Sequence, residues 1–565
     1  RPTSFPRSET YSRVMGAEQS CCVVEEDESP DVAPIETETL PKPVSAPDVE
    51  HRATTAVPKR AASTSEASGG MRSPTVSNFG GSVHGLQKML EMKHMEVDHE
   101  FMRGIPLHRL LRKVEVWTSP DEIRRRNWTE RVWNLSGPVS SHDIFLSHTW
   151  RSKGRWKVLA LTMQSGWFHG LLAWFVGVAL LLCFRAFDVI PDVWENVVIF
   201  LDGSEITISM EPWTVMSGGV FMVMGLCISP FLPLKTKICY LDAACIHLAH
   251  GELFERGVYS IGGCLSVAKE LRVLYSPEYL SSLWCLFEIV GFRNANPDGK
   301  LVFSPLFIER SVAICVILVW NIMLAMYLVL SQVAADVRQG YMVLVYLLVF
   351  FVPLALVVHL LRGNFREKRQ LIFDLKTFDL QKLTCASDFD SAFILSAIDD
   401  WYSNRDDFRD FVRGPLHDEL VNLLPSPALP CAYVPVILSS LWALVFDVGL
   451  SLHKSGIDGQ SLCNFFFPYL SLTSWYWATF NGVFYLSDKT AQLFRGSLLI
   501  VWAQTLCVAG GIALFNFAGF AWLQAVTRTT NLFQSSLFVV CSLLIPCFIL
   551  DVFKICKRRD QPSFG

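Results

Sequence analysis

Eight long apolar runs constrain this chain more than any other feature of its sequence. Each run holds about 20 mostly uncharged residues, which is the length that an α-helix needs to cross a bilayer. The runs cover residues 167–184, 213–232, 311–333, 341–361, 433–452, 465–486, 497–520 and 532–553. The sixth run contains Pro468 and many aromatic residues, so it is equally typical of a segment lying at the membrane surface. The sequence therefore predicts a polytopic, all-α membrane bundle of about eight transmembrane helices.

Composition supports this prediction independently. Of the 565 residues, 51% are hydrophobic and only 18% are charged, which is too apolar for a soluble chain of this length. The net charge of −4 provides no basic field for phosphates, so we expect the lipid bilayer as a partner and no nucleic acid.

Basic residues near the ends of the runs predict the orientation of the chain. Lys and Arg concentrate on the cytosolic side of membrane proteins. If there are eight spans, four basic groups fall on one side: Arg151, Lys153, Arg155 and Lys157; Lys235 and Lys237; Arg362, Arg366, Lys368 and Arg369; and Lys554, Lys557, Arg558 and Arg559. The loop between the first two spans is acidic instead. We therefore expect an integral, multi-pass protein with both termini in the cytosol.

The sequence predicts no metal site and no required cofactor. The 16 cysteines lie mostly in or beside the spans or in predicted cytosolic segments, where thiols stay reduced. Cys245, His247, His250 and Cys264 could supply metal ligands, but their spacing fits no standard zinc pattern. Asp447 lies inside the fifth run, where a carboxylate is costly, and is a candidate for an ion path or for a buried structural hydrogen bond. Asn321 and His359 are milder cases.

Two short motifs carry the other main signal. The first is Ile144-Phe145-Leu146-Ser147-His148-Thr149-Trp150, an apolar β-run that ends in Ser-His. The second is Leu283-Trp284-Cys285-Leu286-Phe287-Glu288, which follows an apolar run ending in Tyr-Ser-Pro-Glu-Tyr. Between them lie two further candidate strands, Tyr240-Leu241-Asp242 and Leu271-Arg272-Val273-Leu274-Tyr275-Ser276.

In this order the motifs resemble those of a TIR (Toll/interleukin-1 receptor) domain. The resemblance implies a cytosolic α/β fold with a doubly wound parallel sheet, and strands alternating with helices agree with it. Residues 144–147 would be the first strand, 237–242 the second, 271–276 the third and 301–307 the fourth. The first two spans would then form a hairpin inserted into the domain. Residues 144–147 should therefore lie in parallel beside 237–242 or 271–276.

After the fourth strand the chain departs from the family pattern. It enters the third apolar run, so the usual fifth strand and last helix are missing from their expected place. The alternating segment 378–383, followed by amphipathic patterns over 389–402 and 406–424, could complete the sheet. A free-standing helical module is the alternative.

The resemblance also implies a site. In TIR domains that cleave NAD, the carboxylate matching Glu288 is catalytic and stabilises the positive charge that develops as nicotinamide leaves. Trp284 lies one helical turn earlier and could stack on a ring or fill the core. Ser147, Trp150 and Asp242 are the other candidates for binding NAD as a substrate. Glu288 could instead be purely structural.

These observations divide the chain into nine parts. They are a disordered tail (1–82), a helical N-terminal region (83–136), a first TIR-like half (141–166), a transmembrane hairpin (167–232), a second TIR-like half (235–309), a second hairpin (311–361), a cytosolic α/β or helical segment (362–430), four transmembrane helices (433–553) and a basic cytosolic tail (554–565). Signalling through self-association of the TIR-like domain is the function this organisation favours. The alternatives are an NAD glycohydrolase using Glu288, and a channel or transporter regulated by the cytosolic domain.

Overall fold

A computed structural model of the chain contains an α/β domain and a helical bundle. The described residues are 101–191, 194–199, 205–211, 213–232, 237–332, 347–383, 385, 388–402, 404–424, 429–493, 495–527, 536, 540 and 544. The predicted tail 1–82, nearly all of the eighth apolar run and the basic tail 554–565 lie outside them.

Among the described residues, eight strands form two separate sheets. They are β1 (Arg103–Pro106), β2 (Gly137–Pro138), β3 (Ile144–His148), β4 (Trp194–Ile199), β5 (Glu205–Met210), β6 (Ile238–Tyr240), β7 (Glu270–Tyr275) and β8 (Lys300–Pro305). The main sheet has the order β2-β1-β6-β3-β7-β8, and β4 pairs only with β5. In the main sheet β3 runs parallel to both β6 and β7, and β7 runs parallel to β8.

This arrangement confirms that residues 144–147 lie in parallel beside both candidate neighbours. Ile144 pairs with Cys239 on one side, and Phe145 pairs with Leu271 on the other. Numbered by their own chain order, the four parallel strands follow the order 2-1-3-4, which is that of doubly wound sheets. The first hairpin of spans is therefore inserted between two strands that pair directly.

The sheet differs from the expected one because it is mixed rather than parallel. β1 pairs antiparallel with β6, and β2 pairs antiparallel with β1. The region expected to be helical over 83–136 thus contributes the strand β1, which lies between β2 and β6, as well as helices. The sequence of β1, Arg-Gly-Ile-Pro, does not predict a strand, because it has no alternating apolar pattern and because Gly and Pro are uncommon in strands.

Seventeen described helices accompany the strands. They are α1 (Leu107–Arg112), α2 (Pro120–Arg125), α3 (Thr129–Trp133), α4 (Gly154–Ala186), α5 (Trp213–Ile228), α6 (Asp242–Cys245), α7 (Gly251–Tyr259), α8 (Ile261–Ser266), α9 (Leu283–Ala295), α10 (Leu306–Gln332), α11 (Val352–Lys376), α12 (Asp388–Trp401), α13 (Arg405–Phe411), α14 (His417–Leu423), α15 (Val434–Lys454), α16 (Gly459–Thr490) and α17 (Leu498–Thr527). Within the predicted helical region 83–136, the chain does not form one continuous helix over α2 and α3. The helical run is broken at Asn127, which has a φ of 56°, and the Ser119 side chain makes no capping hydrogen bond.

Alternation along the strands places helices on both faces of the main sheet. Phe145 packs in one core with α8, α9 and α12, whereas Ile144 and Leu146 pack in another with α1–α3 and the start of α4. Successive side chains of a strand point to opposite faces, so one run fills two cores. The result is a three-layer α/β/α domain.

Six described helices are long and apolar enough to cross a membrane, which indicates an integral membrane protein. They are Gly154–Ala186, Trp213–Phe231, Leu306–Ala325, Val349–Lys376, Cys431–Lys454 and Leu498–Gly519. The sixth predicted run lies within α16, which is 32 residues long but is not among these six. Six of the eight predicted spans therefore correspond to described helices that could cross a membrane.

The first two spans pack closely as an antiparallel pair. A Cβ added at Gly225 would lie 2.6 Å from the His169 carbonyl oxygen and 2.9 Å from the Gly170 Cα atom. Small residues allow such an approach of two helix backbones in membranes. Beyond α4 the chain forms the hairpin of β4 and β5 where an acidic loop was expected.

Three spans continue into the α/β domain without a break. Ala160 and Leu161 near the start of α4 belong to a core of the domain, whereas Trp174 in the same helix belongs to the bundle. In α10, Leu306 contacts the domain and Val312 contacts the bundle. Leu371 and Leu375 carry the end of α11 into the core around β7. The domain thus shares helices with the bundle.

The segment after α11 covers a helix of the domain instead of extending its sheet. Residues 380–382 form a 3₁₀ turn, and the main sheet ends at β8. The predicted helices over 389–402 and 406–424 are confirmed as α12 and as α13 and α14 joined by a π-helical turn. The Trp401 ring stacks on Phe287 of α9 with centroids 5.4 Å apart. The segment is therefore an outer layer of the domain, neither a fifth strand nor a free-standing module.

Candidate functional site

The carboxyl ends of β3, β6 and β7 meet at one edge of the main sheet, where doubly wound folds bind ligands. β3 delivers Ser147 and His148 to this edge, and the chain after β6 delivers Asp242. Helix α9 crosses behind the edge and contributes Glu288. Four of the five candidate residues therefore come together, in two hydrogen-bonded pairs, Ser147 with Glu288 and Trp150 with Asp242.

Glu288 lies in a network of hydroxyl groups. The Ser147 hydroxyl donates a hydrogen bond to Glu288 Oε2 and shares another with the Tyr279 hydroxyl. The Tyr279 hydroxyl also lies 3.2 Å from the Cys285 carbonyl oxygen. Glu288 is 9% exposed, while Ser147 and Tyr279 are fully buried. The carboxyl group is therefore occupied by neighbouring side chains.

Burial raises the pKa of the Glu288 carboxyl well above its usual range, because the charged form loses its hydration. The hydrogen bond from Ser147 lowers this pKa in part, and the negative charge of Asp242 raises it further. Burial likewise raises the pKa of the Tyr279 hydroxyl. Both shifts favour the protonated, uncharged forms of these two groups.

The second pair has a cation nearby. Trp150 Nε1 donates to Asp242 Oδ2 at 2.9 Å, and the Ala243 amide donates to Asp242 Oδ1 at 2.8 Å. Lys157, fully buried near the start of α4, donates from Nζ to the Thr149 carbonyl oxygen at 2.8 Å. Its ammonium group lies 4.9 Å from the centre of the Trp150 ring. Burial raises the pKa of Asp242, whereas the Trp150 hydrogen bond and the Lys157 charge lower it.

His148 lies between the two pairs. Its ring contacts Trp150 with centroids 4.3 Å apart, and burial together with the charge of Lys157 holds its pKa well below the usual range. Cys285 Sγ lies 3.5 Å from the His148 carbonyl oxygen. Burial raises the pKa of the Cys285 thiol well above its usual range, so a reactive thiolate is disfavoured. The lowered pKa of His148 favours the neutral form of its imidazole at physiological pH.

Trp284 lies apart from this network. Its ring contacts Phe287 and Phe393 with centroids 5.5 and 6.1 Å away, within the core that α9 shares with α12. Trp284 was expected either to stack on a ring or to fill the core, and these contacts agree with core packing.

The weak metal candidates do not converge. Cys245 and Cys264 are buried in the apolar core, while His247 Nε2 lies 3.0 Å from Glu130 Oε1 and its ring contacts Trp133. Among the residues that the structure describes, no three His, Cys, Asp or Glu side chains form a group suited to a metal ion.

A second buried cluster surrounds Asp447 at the opposite end of α4. Arg185, near the end of that helix, contacts Asp447 Oδ1 through Nη1 at 2.9 Å and Glu211 Oε1 through Nε at 2.9 Å. Thr214 donates to Asp447 Oδ1 at 3.1 Å, and Arg185 Nη2 donates to the Ser451 hydroxyl. All three charged residues are at most 1% exposed. Asp447 thus belongs to a buried ionic network. The sequence did not predict its partner, Arg185.

Sequence reasoning missed Lys157 and Tyr279 at the first site. Lys157 was counted among the basic residues that flank the first span, and nothing in that run of charges marks it as buried. Tyr279 was visible only as part of the Tyr-Ser-Pro-Glu-Tyr segment. Glu288 lines none of three cavities that occur within the described part of the chain.

Comparison with known proteins identifies no relative. No protein-family model matches the chain, and neither a curated protein nor a solved structure is significantly similar to it.

Proposed function

We propose that this protein is a multi-pass membrane signalling protein whose TIR-like α/β domain acts by self-association. One observation carries the proposal: α4, α10 and α11 run from the bundle into the cores of the domain without a linker. A shift of these helices in the bilayer must therefore move the layers that pack on the sheet. The bundle would act as anchor and sensor, and the domain as output.

The occupied carboxyl of Glu288 supports a binding role over a catalytic one. A residue that stabilises a developing cation must be ionised and must reach its substrate. Burial favours the neutral form of Glu288, and its carboxyl is hydrogen-bonded to Ser147. In this conformation the network stabilises the packing of α9 on the sheet.

The helix α7 offers a surface for testing self-association. It belongs to the segment 243–259, which by the resemblance to TIR domains would correspond to the loop that they use for self-association. Glu252 in its first turn is exposed, whereas Gly257 and Val258 are buried. Reversing the charge at Glu252 should therefore change the surface without disturbing the core.

Self-association can be measured with the full chain in nanodiscs and in proteoliposomes, by energy transfer between two labelled populations. We expect transfer that rises with the protein-to-lipid ratio and falls at least about fivefold in Glu252→Arg. The matched control is Asp298→Arg, which reverses an exposed charge in the turn before β8. Transfer no greater than that of a monomeric membrane protein, or equal loss in both variants, would overturn the proposal.

NAD cleavage is the second candidate, because Ser147, Asp242 and Glu288 meet at the carboxyl edge of parallel strands. It requires Glu288 to leave its hydroxyl network when substrate binds. Loss of NAD is measured with purified full chain, wild type against Glu288→Ala. Turnover abolished in the variant would establish the enzyme. Absent turnover, or turnover unchanged by the substitution, would exclude this role for Glu288.

A further inference from the structure

A cavity of about 200 Å³ lies where the α/β domain meets the bundle. Its walls come from the edge strand β8, from the domain-side ends of α4 and α10 and from the turn before α15, including Phe303, Trp167, Ile308 and Tyr433. Trp and Tyr concentrate where membrane proteins cross from hydrocarbon to head groups. Trp167 begins the first apolar run, and Tyr433 begins the fifth. The aromatic residues in its wall are therefore typical of the level of the lipid head groups.

One buried carboxyl group lines this largely apolar cavity. Glu309, 6% exposed, accepts hydrogen bonds at Oε1 from Gln164 Nε2 at 2.9 Å and from the Tyr433 hydroxyl at 3.4 Å. Its other oxygen, Oε2, is buried and has no hydrogen-bond partner among the described residues. A buried carboxyl oxygen without a donor is costly, so native sites usually supply one.

We propose that this cavity binds a membrane amphiphile whose polar end donates a hydrogen bond to the Glu309 carboxyl. The donor is an ammonium or a hydroxyl group, and the apolar body lies against Trp167 and Ile308. The volume exceeds that of the roughly 150 Å³ apolar cavity that holds one benzene molecule. It suits the head region of a lipid better than a single water, whose share of liquid volume is about 30 Å³.

The proposed site is connected to the centre of the sheet. Gln164 Oε1 accepts a hydrogen bond from Arg272 Nη1 at 3.3 Å, and Arg272 Nε donates to Glu270 Oε1 at 2.7 Å. Arg272 and Glu270 belong to β7, which lies between β3 and β8. A ligand bound to Glu309 would therefore affect Gln164, whose side chain contacts both Glu309 and Arg272 of the sheet. This inference concerns lipid recognition and goes beyond the proposed self-association.

Phosphatidylcholine offers a matched background for the test, because its head group carries no N–H or O–H donor. The full chain is reconstituted in phosphatidylcholine nanodiscs with a minor fraction of either phosphatidylethanolamine, an ammonium donor, or diacylglycerol, a hydroxyl donor. Lipid retained on the protein is then counted by native mass spectrometry. We expect one of the two to be retained about tenfold or more above its bulk ratio to phosphatidylcholine, and its identity distinguishes ammonium from hydroxyl.

Two variants test the site by different means. Glu309→Gln keeps an acceptor for Gln164 and Tyr433 and introduces an amide donor that opposes the donor of the ligand. Ile308→Trp fills the cavity and leaves the carboxyl in place, so it carries the test if Glu309→Gln fails to fold. Both should abolish the enrichment, whereas Glu278→Gln, an exposed acid outside the cavity, should preserve it. Bulk lipid ratios on the wild type, or enrichment unchanged in both cavity variants, would overturn the proposal.

Lipid retention is measured without any assay of association. Its failure would therefore leave the proposed signalling role standing, and failure of self-association would leave the lipid site standing.

Discussion

The two buried acidic clusters of this protein lie at opposite ends of one helix and are stabilised in opposite ways. Lys157 and Arg185 are 28 residues apart in α4, a distance of about 42 Å along a helix. At the sheet, a hydroxyl group binds the carboxyl group of Glu288, and burial raises its pKa and so favours the neutral form. At the far end, Arg185 contacts two carboxylates directly. The cost of burying a charged carboxylate is thus reduced by favouring protonation at the first cluster and by pairing with a cation at the second.

This difference predicts how each cluster responds to substitution and to pH. A neutral carboxyl group can be replaced by an amide of the same shape at little cost. A carboxylate in a buried ion pair cannot lose its cation without leaving an uncompensated charge. Four predictions test this contrast, each read out by region-resolved hydrogen exchange of the full chain in nanodiscs.

The largest effect is expected for Arg185→Met. Removing the guanidinium leaves Glu211 and Asp447 buried without the cation they share, which costs about 3–5 kcal/mol. The opening free energy of α15 should fall by this amount or by the whole local stability, whichever is smaller. The control is Lys454→Met, since Lys454 pairs with the exposed Asp188 at the same end and should contribute below about 1 kcal/mol. Equal effects of the two substitutions would contradict the buried ionic network.

Next in size is Glu288→Ala. It leaves a cavity and deprives Ser147 and Tyr279 of a partner, so the opening free energy of β3 should fall by about 2–3 kcal/mol. Glu288→Gln should cost less than about 1 kcal/mol, because the amide reproduces the neutral acid. Asp447→Asn should cost more than Glu288→Gln, since it weakens a contact with Arg185. The reverse order would show that Glu288 is ionised in the folded protein.

The pH dependence of β3 provides the third test. The pKa of Glu288 is raised in the folded state, so its contribution to stability is fully present below about pH 4.5, the usual pKa of glutamate. It is lost as the pH rises toward the folded pKa, by about 1.4 kcal/mol per pH unit in that window. Relative to Glu288→Gln, the wild type should therefore lose stability as the pH rises above about 4.5. A flat difference between the two proteins would refute the raised pKa.

The smallest effect is expected for Trp150→Phe. This substitution removes the indole N–H that donates to Asp242 Oδ2 and retains most of the ring, so it should cost about 1 kcal/mol. The loss should appear in the opening of residues 242–245 and leave α15 unchanged. An unchanged opening of residues 242–245 would mean that the Ala243 amide and Lys157 alone hold the carboxylate.

The sequence was informative where periodicity and neighbouring motifs agreed. The apolar runs at 144–147, 237–242, 271–276 and 301–307 correspond to β3, β6, β7 and β8, and the expected parallel pairing of β3 is confirmed. The proximity of Ser147 and Glu288 follows from that pairing, because both lie at the edge where β3 ends. The seventh run likewise corresponds to a helix able to cross a membrane.

Other features were hidden because a local pattern has more than one structural solution. Alternation over residues 378–383 suits a strand, yet a 3₁₀ turn with one face on the core satisfies it equally. The basic residues after the fourth run were interpreted as flanking charges. Arg362 is instead fully buried and donates to Thr505 and Gln504 of α17. Such tertiary hydrogen bonds leave no trace in the spacing of charges along the chain.

Because a membrane hairpin is inserted between β3 and β6, the hairpin is synthesised before the main sheet can be completed. β3 leaves the ribosome before either neighbour, and both β6 and β7 are synthesised only after α4 and α5. Pairings between residues so distant in sequence form slowly and leave unpaired edges exposed meanwhile. A chain whose first hairpin fails to enter the bilayer cannot bring β3 and β6 together in the right register with the bundle. Completion of the sheet therefore depends on correct insertion of the first hairpin, and a misinserted chain is left without a complete α/β domain.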